Sequence, residues 1–165
     1  MDRTVASIAA TAMALLALAG VVYGIATGFF NSKSANMNGW AAELVVNARG
    51  AFSTGPTGCT DFTTANVTHL ITGKIIPKGL VKSGVATDPW GNAMAFGSAN
   101  GGAQCTVQYG GALMPAADCA KTAAGMSDFV TLRIGSTTFT EAAPPTLVSA
   151  AAACATGTTS VLTFQ

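Results

Sequence analysis

Few residues of this 165-residue chain could do chemistry. It has one histidine, His69, so no imidazole pair or triad can hold zinc. His69 reads most simply as a surface or partly buried helix residue. No serine sits in anything resembling a nucleophile elbow. The glycine-rich stretches match neither the phosphate-loop nor the dinucleotide-binding pattern. The seven acidic residues are scattered, with no close pair for acid–base work or calcium. The sequon Asn66-Val67-Thr68 needs a glycosylating compartment and is read as accidental. No catalytic residue, cofactor or metal site is expected.

Cysteine chemistry remains. Cys59, Cys105, Cys119 and Cys154 are not spaced as C-x-x-C, which weakens metal and redox-exchange readings. An even count in a chain with an exported anchor suggests two disulfides. Of the three pairings, we take Cys59–Cys105 and Cys119–Cys154. Each closes a loop of roughly 35–47 residues, worth about 4 kcal/mol in the chain-entropy model. That is a large share of the ~5–15 kcal/mol a domain usually has.

The chain that must position these residues is 50% apolar and 9% charged, with a net charge of +1 and a mean hydropathy of +0.46. Near-neutrality makes it a poor binder of polyanions, and no direct nucleic-acid binding is expected. Low charge with high hydropathy also argues against disorder. The apolar content leans on 32 alanines, with 19 glycines beside them, small side chains that pack backbones closely but bury little area each. Lys74, Lys78 and Lys82 flank Pro77, which forbids one continuous basic helix. They read as a solvated face rather than a DNA-contacting patch.

Between Arg3 and Lys33 lies an uncharged run, Val5–Phe30, of 26 residues. A helix of that length is roughly 39 Å long, enough to cross a bilayer core of about 30 Å. Three readings compete. A cleaved signal peptide could end at Ala17-Leu18-Ala19, but Met-Asp-Arg has no net positive charge and the apolar run continues past the site. A plain membrane anchor fits on length. An N-terminus that spans the membrane and later packs against copies of itself fits composition best. The run holds eight alanines, and Gly20, Gly24 and Gly28 fall at i, i+4 and i+8, a face that lets helices approach closely. Residues 1–30 are thus expected to be an apolar transmembrane or filament-core helix, and 31–165 a globular head.

Within the head, Asn36-Met37-Asn38 can cap an amphipathic helix over 36–52, with Trp40, Ala41, Leu44, Val45, Ala48 and Phe52 on one stripe. One long bent helix from residue 1 to about 52 also fits. Ser53–Gly58 ends it. A short helix is expected over Thr64–Thr72, and a turn at Asp88-Pro89-Trp90-Gly91-Asn92 leads into a strand over Ala93–Gly97. Gln104–Tyr109 alternates as a strand, and Met114–Ala124 reads as a helix. Phe129–Ile134 and Thr137–Glu141 form a hairpin around Gly135-Ser136. A helix over Thr146–Cys154 and a strand over Thr158–Phe164 close the chain.

This order resembles a type IV pilin: a long helix, apolar then amphipathic, then a loop and an antiparallel sheet. Pro115–Met126 with Cys119, the strand Phe129–Ile134, the helix with Cys154 and the terminal strand resemble the disulfide-bounded region of the type IVb subclass. Thr64–Trp90 resembles its short helix, glycine-rich connection and Asp-Pro turn. The overall look is closest to major pilins of plasmid-encoded thin conjugative pili. Asp88-Pro89-Trp90-Gly91 is also similar to pilin-like proteins of type II secretion systems.

The resemblance implies an α+β fold and a structural, non-enzymatic subunit. Such a subunit waits in the inner membrane of a Gram-negative bacterium. A prepilin peptidase trims and methylates its N-terminus, here Met1, and an assembly platform adds it to an extracellular homopolymer. That filament attaches cells, recipient or host, with conjugation the expected setting. The alternatives are a type II secretion pseudopilin or a membrane-anchored periplasmic domain. The family usually carries Glu at the fifth mature position, to neutralise a neighbour's N-terminal ammonium; here Val5 stands there. An unpaired ammonium in an apolar bundle is costly. Asp2 is expected to take over some of that pairing and Arg3 to find a carboxylate or carbonyl, or both stay hydrated.

Overall fold

The structure, a computed structural model, describes residues 33–52, 55 and 57–165. Residues 33–52 form helix α1. Met37, Ala41, Leu44, Val45 and Ala48 lie at i, i+4, i+7, i+8 and i+11 and are all buried. This single face carries the helix into the core. Asn36-Met37-Asn38 is therefore not a cap, because all three residues are already helical. Burying Met37 is worth about 1.5–3 kcal/mol, more than the ~1 kcal/mol a cap supplies.

Five strands form one antiparallel sheet in the order β3-β4-β7-β5-β6. They are β3 (Ala95–Ala99), β4 (Gln104–Tyr109), β5 (Thr131–Ile134), β6 (Thr137–Thr140) and β7 (Ser160–Phe164). One buried row crosses all five. Phe96 pairs with Val107, Val107 with Leu162, Leu162 with Leu132, and Leu132 with Phe139. Cross-strand neighbours of this kind fix register, since a one-residue slip would turn the whole row to the other face. Phe62, fully buried after α1, packs edge-on against Phe52, Phe96 and Phe164, joining helix, loop and sheet.

Three helices complete the head: α2 (Val67–Thr72), α3 (Ala116–Ala124) and α4 (Leu147–Cys154). The last opens with a capping box in which Thr146 Oγ1 accepts from Ser149 N, and Ser149 Oγ accepts from Thr146 N. Several expected boundaries move. The strand expected at Ala93 begins at Ala95, with Ala93 in an isolated bridge to Thr87. The helix expected from Met114 starts after Pro115, and Met114 enters the core instead. The strand expected from Phe129 starts at Thr131, because Asp128 takes a left-handed turn (φ 59°) just before it. The closing strand starts at Ser160 rather than Thr158. A small hairpin, β1 (Val81–Lys82) and β2 (Val85–Ala86), escaped the sequence reading. Two residues per strand are too few to show alternation, and its signal is the Ser83-Gly84 pair, both with positive φ.

Candidate assembly interface

In the connection between α1 and the sheet, the turn after β2 is held by side chains. The Asp88 carboxylate is fully buried and accepts four N–H donors. Trp90 N (3.0 Å) and Asn92 N (2.8 Å) reach Oδ1, while Asn92 Nδ2 (2.9 Å) and Gly110 N (3.0 Å) reach Oδ2. A buried carboxylate is tolerated only when its acceptors are filled in this way. Gly110 sits at φ 76° and a Cβ there would strike Thr158 O, so the approach of strand end to Asp88 needs glycine. From the same turn, Trp90 Nε1 donates to Asp118 Oδ2 at 2.9 Å, and Ser34 Oγ donates to Asp118 O at 3.3 Å. The turn after β2, helix α3 and the start of described α1 are thereby tied together.

The polar flank of α1 also works as a clamp. Asn47 Nδ2 donates to the carbonyls of Lys74 and Ile75 at 3.2 and 3.4 Å. Arg49 Nε donates to Gln165 O at 2.5 Å, and an Arg49 terminal nitrogen donates to Asp128 O at 3.4 Å. Neither residue falls on the packed stripe and no periodicity marks them, because their partners are backbone carbonyls distant in sequence. Trp40 lies over Gly79, where an added Cβ would strike the indole ring. Tyr109 is buried with its hydroxyl unpartnered, and desolvation pushes its phenol well above the ordinary value near 10.0.

The disulfides are Cys59–Cys105 and Cys119–Cys154. The first joins the loop after α1 to β4; the second joins α3 to α4 and brackets β5 and β6. Lys74, Lys78 and Lys82 are exposed, as is His69. The sequon asparagine is engaged through its amide, which donates to Asp61 O at 2.9 Å. Among the described residues, no group of His, Cys, Asp or Glu gathers to hold a metal, and no helix is long and apolar enough to cross a membrane. Met1, Asp2, Arg3, Val5, Gly20, Gly24 and Gly28, with the expected apolar helix over 1–30, lie outside the described residues.

Opposite its packed stripe, α1 presents Gly39, Ala42, Val46 and Gly50, all exposed, with Glu43 beside them. Val46 is 65% exposed, and a Cβ added at Gly39 or Gly50 would meet nothing within 4 Å. The face is small, largely apolar and open. The PilS N-terminal family matches residues 35–165 of the chain.

The chain belongs to that family. The crystal structure of type IV b pilin from Salmonella typhi shares its fold, with a TM-score of 0.58 at 18% identity, over 81% of this chain and 97% of that one. No curated protein sequence matches it. The α+β head, a helix packed on an antiparallel sheet with short helices, is thus that of a type IVb pilin, a structural subunit rather than an enzyme. In this pilin the Asp88 turn, the two disulfides and the α1 clamp tie the head's segments together, while the outward face of α1 is exposed.

Proposed function

We propose that this pilin polymerises with copies of itself into an extracellular type IV pilus that attaches cells, with conjugation as its setting. The observation that carries the reading is the open, small-residue face of α1. A helix that buries one stripe in its own head and leaves Gly39, Ala42, Val46 and Gly50 uncovered has a second partner to meet. Upstream in the sequence, the uncharged run Val5–Phe30 supplies the inner-membrane stage and the filament core, with Gly20, Gly24 and Gly28 as its close-approach face. Transfer from lipid to protein gains nothing from removing water, so close packing and head-to-head contacts must hold the polymer. Processing by a prepilin peptidase, methylation of Met1 and extrusion by an assembly platform belong to the same proposal.

Negative-stain microscopy of cells bearing the gene tests it: long thin fibres are expected, and their absence under expression sinks the filament. Loss of DNA transfer on deleting the gene would support conjugation, whereas unchanged transfer with fibres lost would remove that setting alone. With Val5 in the usual Glu position, Asp2 is proposed to pair with a neighbour's N-terminal ammonium and Arg3 with a carboxylate or carbonyl. An Asp2→Ala chain should then yield fewer fibres; wild-type yield and stability would dismiss the role.

A further inference from the structure

A groove of about 720 Å³ runs between α1 and the segment after α2, lined by Trp40, Ile71, Ile76, Pro77 and Val81. Its charged rim carries Glu43, Lys74 and Lys78, a balance of one positive charge. No residue beyond Val81 lines it, so its own α4 does not enter. Elsewhere the head carries a shoulder at the N-terminus of α4, where Leu147 is 57% and Val148 81% exposed. The preceding loop is exposed from Glu141 to Pro144. From Ile134 to Gln165 the only charged side chain is Glu141. An exposed apolar shoulder with one negative charge thus stands on the same molecule as an apolar groove with a net positive rim.

Resting on the polymer reading, we infer that the α4 shoulder of one copy docks in the α1 groove of the next, with Val148 on the apolar floor and Glu141 facing Lys74 and Lys78. Two different patches meet, so the contact is heterologous and does not close on a pair; it propagates from subunit to subunit. The apolar pair supplies the attraction, and the charges set orientation and exclude the reverse register.

The test uses full-length chains expressed in cells, with disulfide-bonded monomer quantified beside sheared fibres. Val148→Asp should lower fibre yield by about tenfold or more, as the loss of one buried valine contact per subunit implies. Glu141→Lys and Lys78→Glu should each reduce yield by about fivefold, and their combination should return it to within about twofold of the parent. All three positions are exposed, so monomer levels should not change. A photo-crosslinking residue at position 148 gives a readout independent of yield. In fibres it should join residue 148 to a peptide within residues 71–81 of a second copy. Parental yield from Val148→Asp, a combined variant no better than its worse single, or cross-links confined to other peptides would overturn the contact. Fibres missing from the parent chain as well would instead overturn polymerisation itself.

Discussion

Asp88 shows how one side chain can do the work of a strand. Its carboxylate gathers four N–H groups that lie in no ladder, and removing it leaves them buried and unpaired. Asp88→Ala should lower the stability of the purified chain by on the order of 3 kcal/mol, read as a fall in denaturant midpoint at unchanged slope. A loss below about 1 kcal/mol would mean the turn holds without it. The sequence shows Asp88-Pro89-Trp90-Gly91-Asn92 as a turn, because Asp and Gly favour turn geometry locally. It does not show that the carboxylate is buried or that Gly110 comes to meet it from across the sheet. Tyr109 offers a pH test. Its phenol is neutral in both states below pH ~10, so it contributes no pH dependence there. Above that, the unfolded tyrosine ionises while the buried one keeps its proton, so unfolding releases a proton. Stability should fall by up to ~1.4 kcal/mol per pH unit, until the raised folded value is passed. Subtracting the same titration of Tyr109→Phe cancels lysine and Tyr23 contributions. Identical alkaline profiles for the two chains would show that the phenol ionises freely in the fold.

Among elements, one disulfide ties the loop after α1 to β4 and the other ties α3 to α4. They close 46 and 35 residues, and the logarithmic dependence on loop length makes their chain-entropy terms differ by only ~0.2 kcal/mol. Removing either pair, Cys59→Ala with Cys105→Ala or Cys119→Ala with Cys154→Ala, should therefore cost about 3–4 kcal/mol and nearly the same amount. Thermal melting of the two double variants checks this; a gap above ~2 kcal/mol would point to packing at one bridge, not chain entropy. Helix α1 is legible from its 3.6-residue stripe and α4 from the Pro144-Pro145 pair that precedes it. Element ends were less so. Met37 was hidden as a cap residue because Asn flanks it on both sides, and its burial depends on a core assembled from distant segments. Phe129 and Met114 look like parts of elements, yet each leaves its element to fill the core.

For the molecule as a whole, the decisive feature is that the last strand lies in the middle of the sheet. Strand β7 pairs with β4 on one side and β5 on the other, and Leu162 is the central residue of the five-strand row. A chain ending at Thr159 should fail to accumulate as disulfide-bonded monomer, because two ladders and the centre of the core would be lost together. Appearance of protease-resistant, doubly bridged monomer from that truncation would disprove this dependence. The heterologous contact proposed between groove and shoulder of successive copies belongs to this scale too, since its two halves are separated by more than sixty residues of sequence between Val81 and Leu147.

Apolar periodicity, small-residue spacing and the cysteine count are local quantities, readable along the chain. They suffice for an uncharged run at 5–30, an amphipathic helix after it, a β-rich region with two short helices, and the absence of a motif for catalysis. Strand order, the placing of β7 between β4 and β5, the four donors on Asp88 and the reach of Arg49 to Gln165 depend on which distant segments come together. A residue's own neighbours do not encode that choice. It emerges when the buried row from Phe96 to Phe139 closes across five strands, where a one-residue slip of any strand would turn its side chain off the core side.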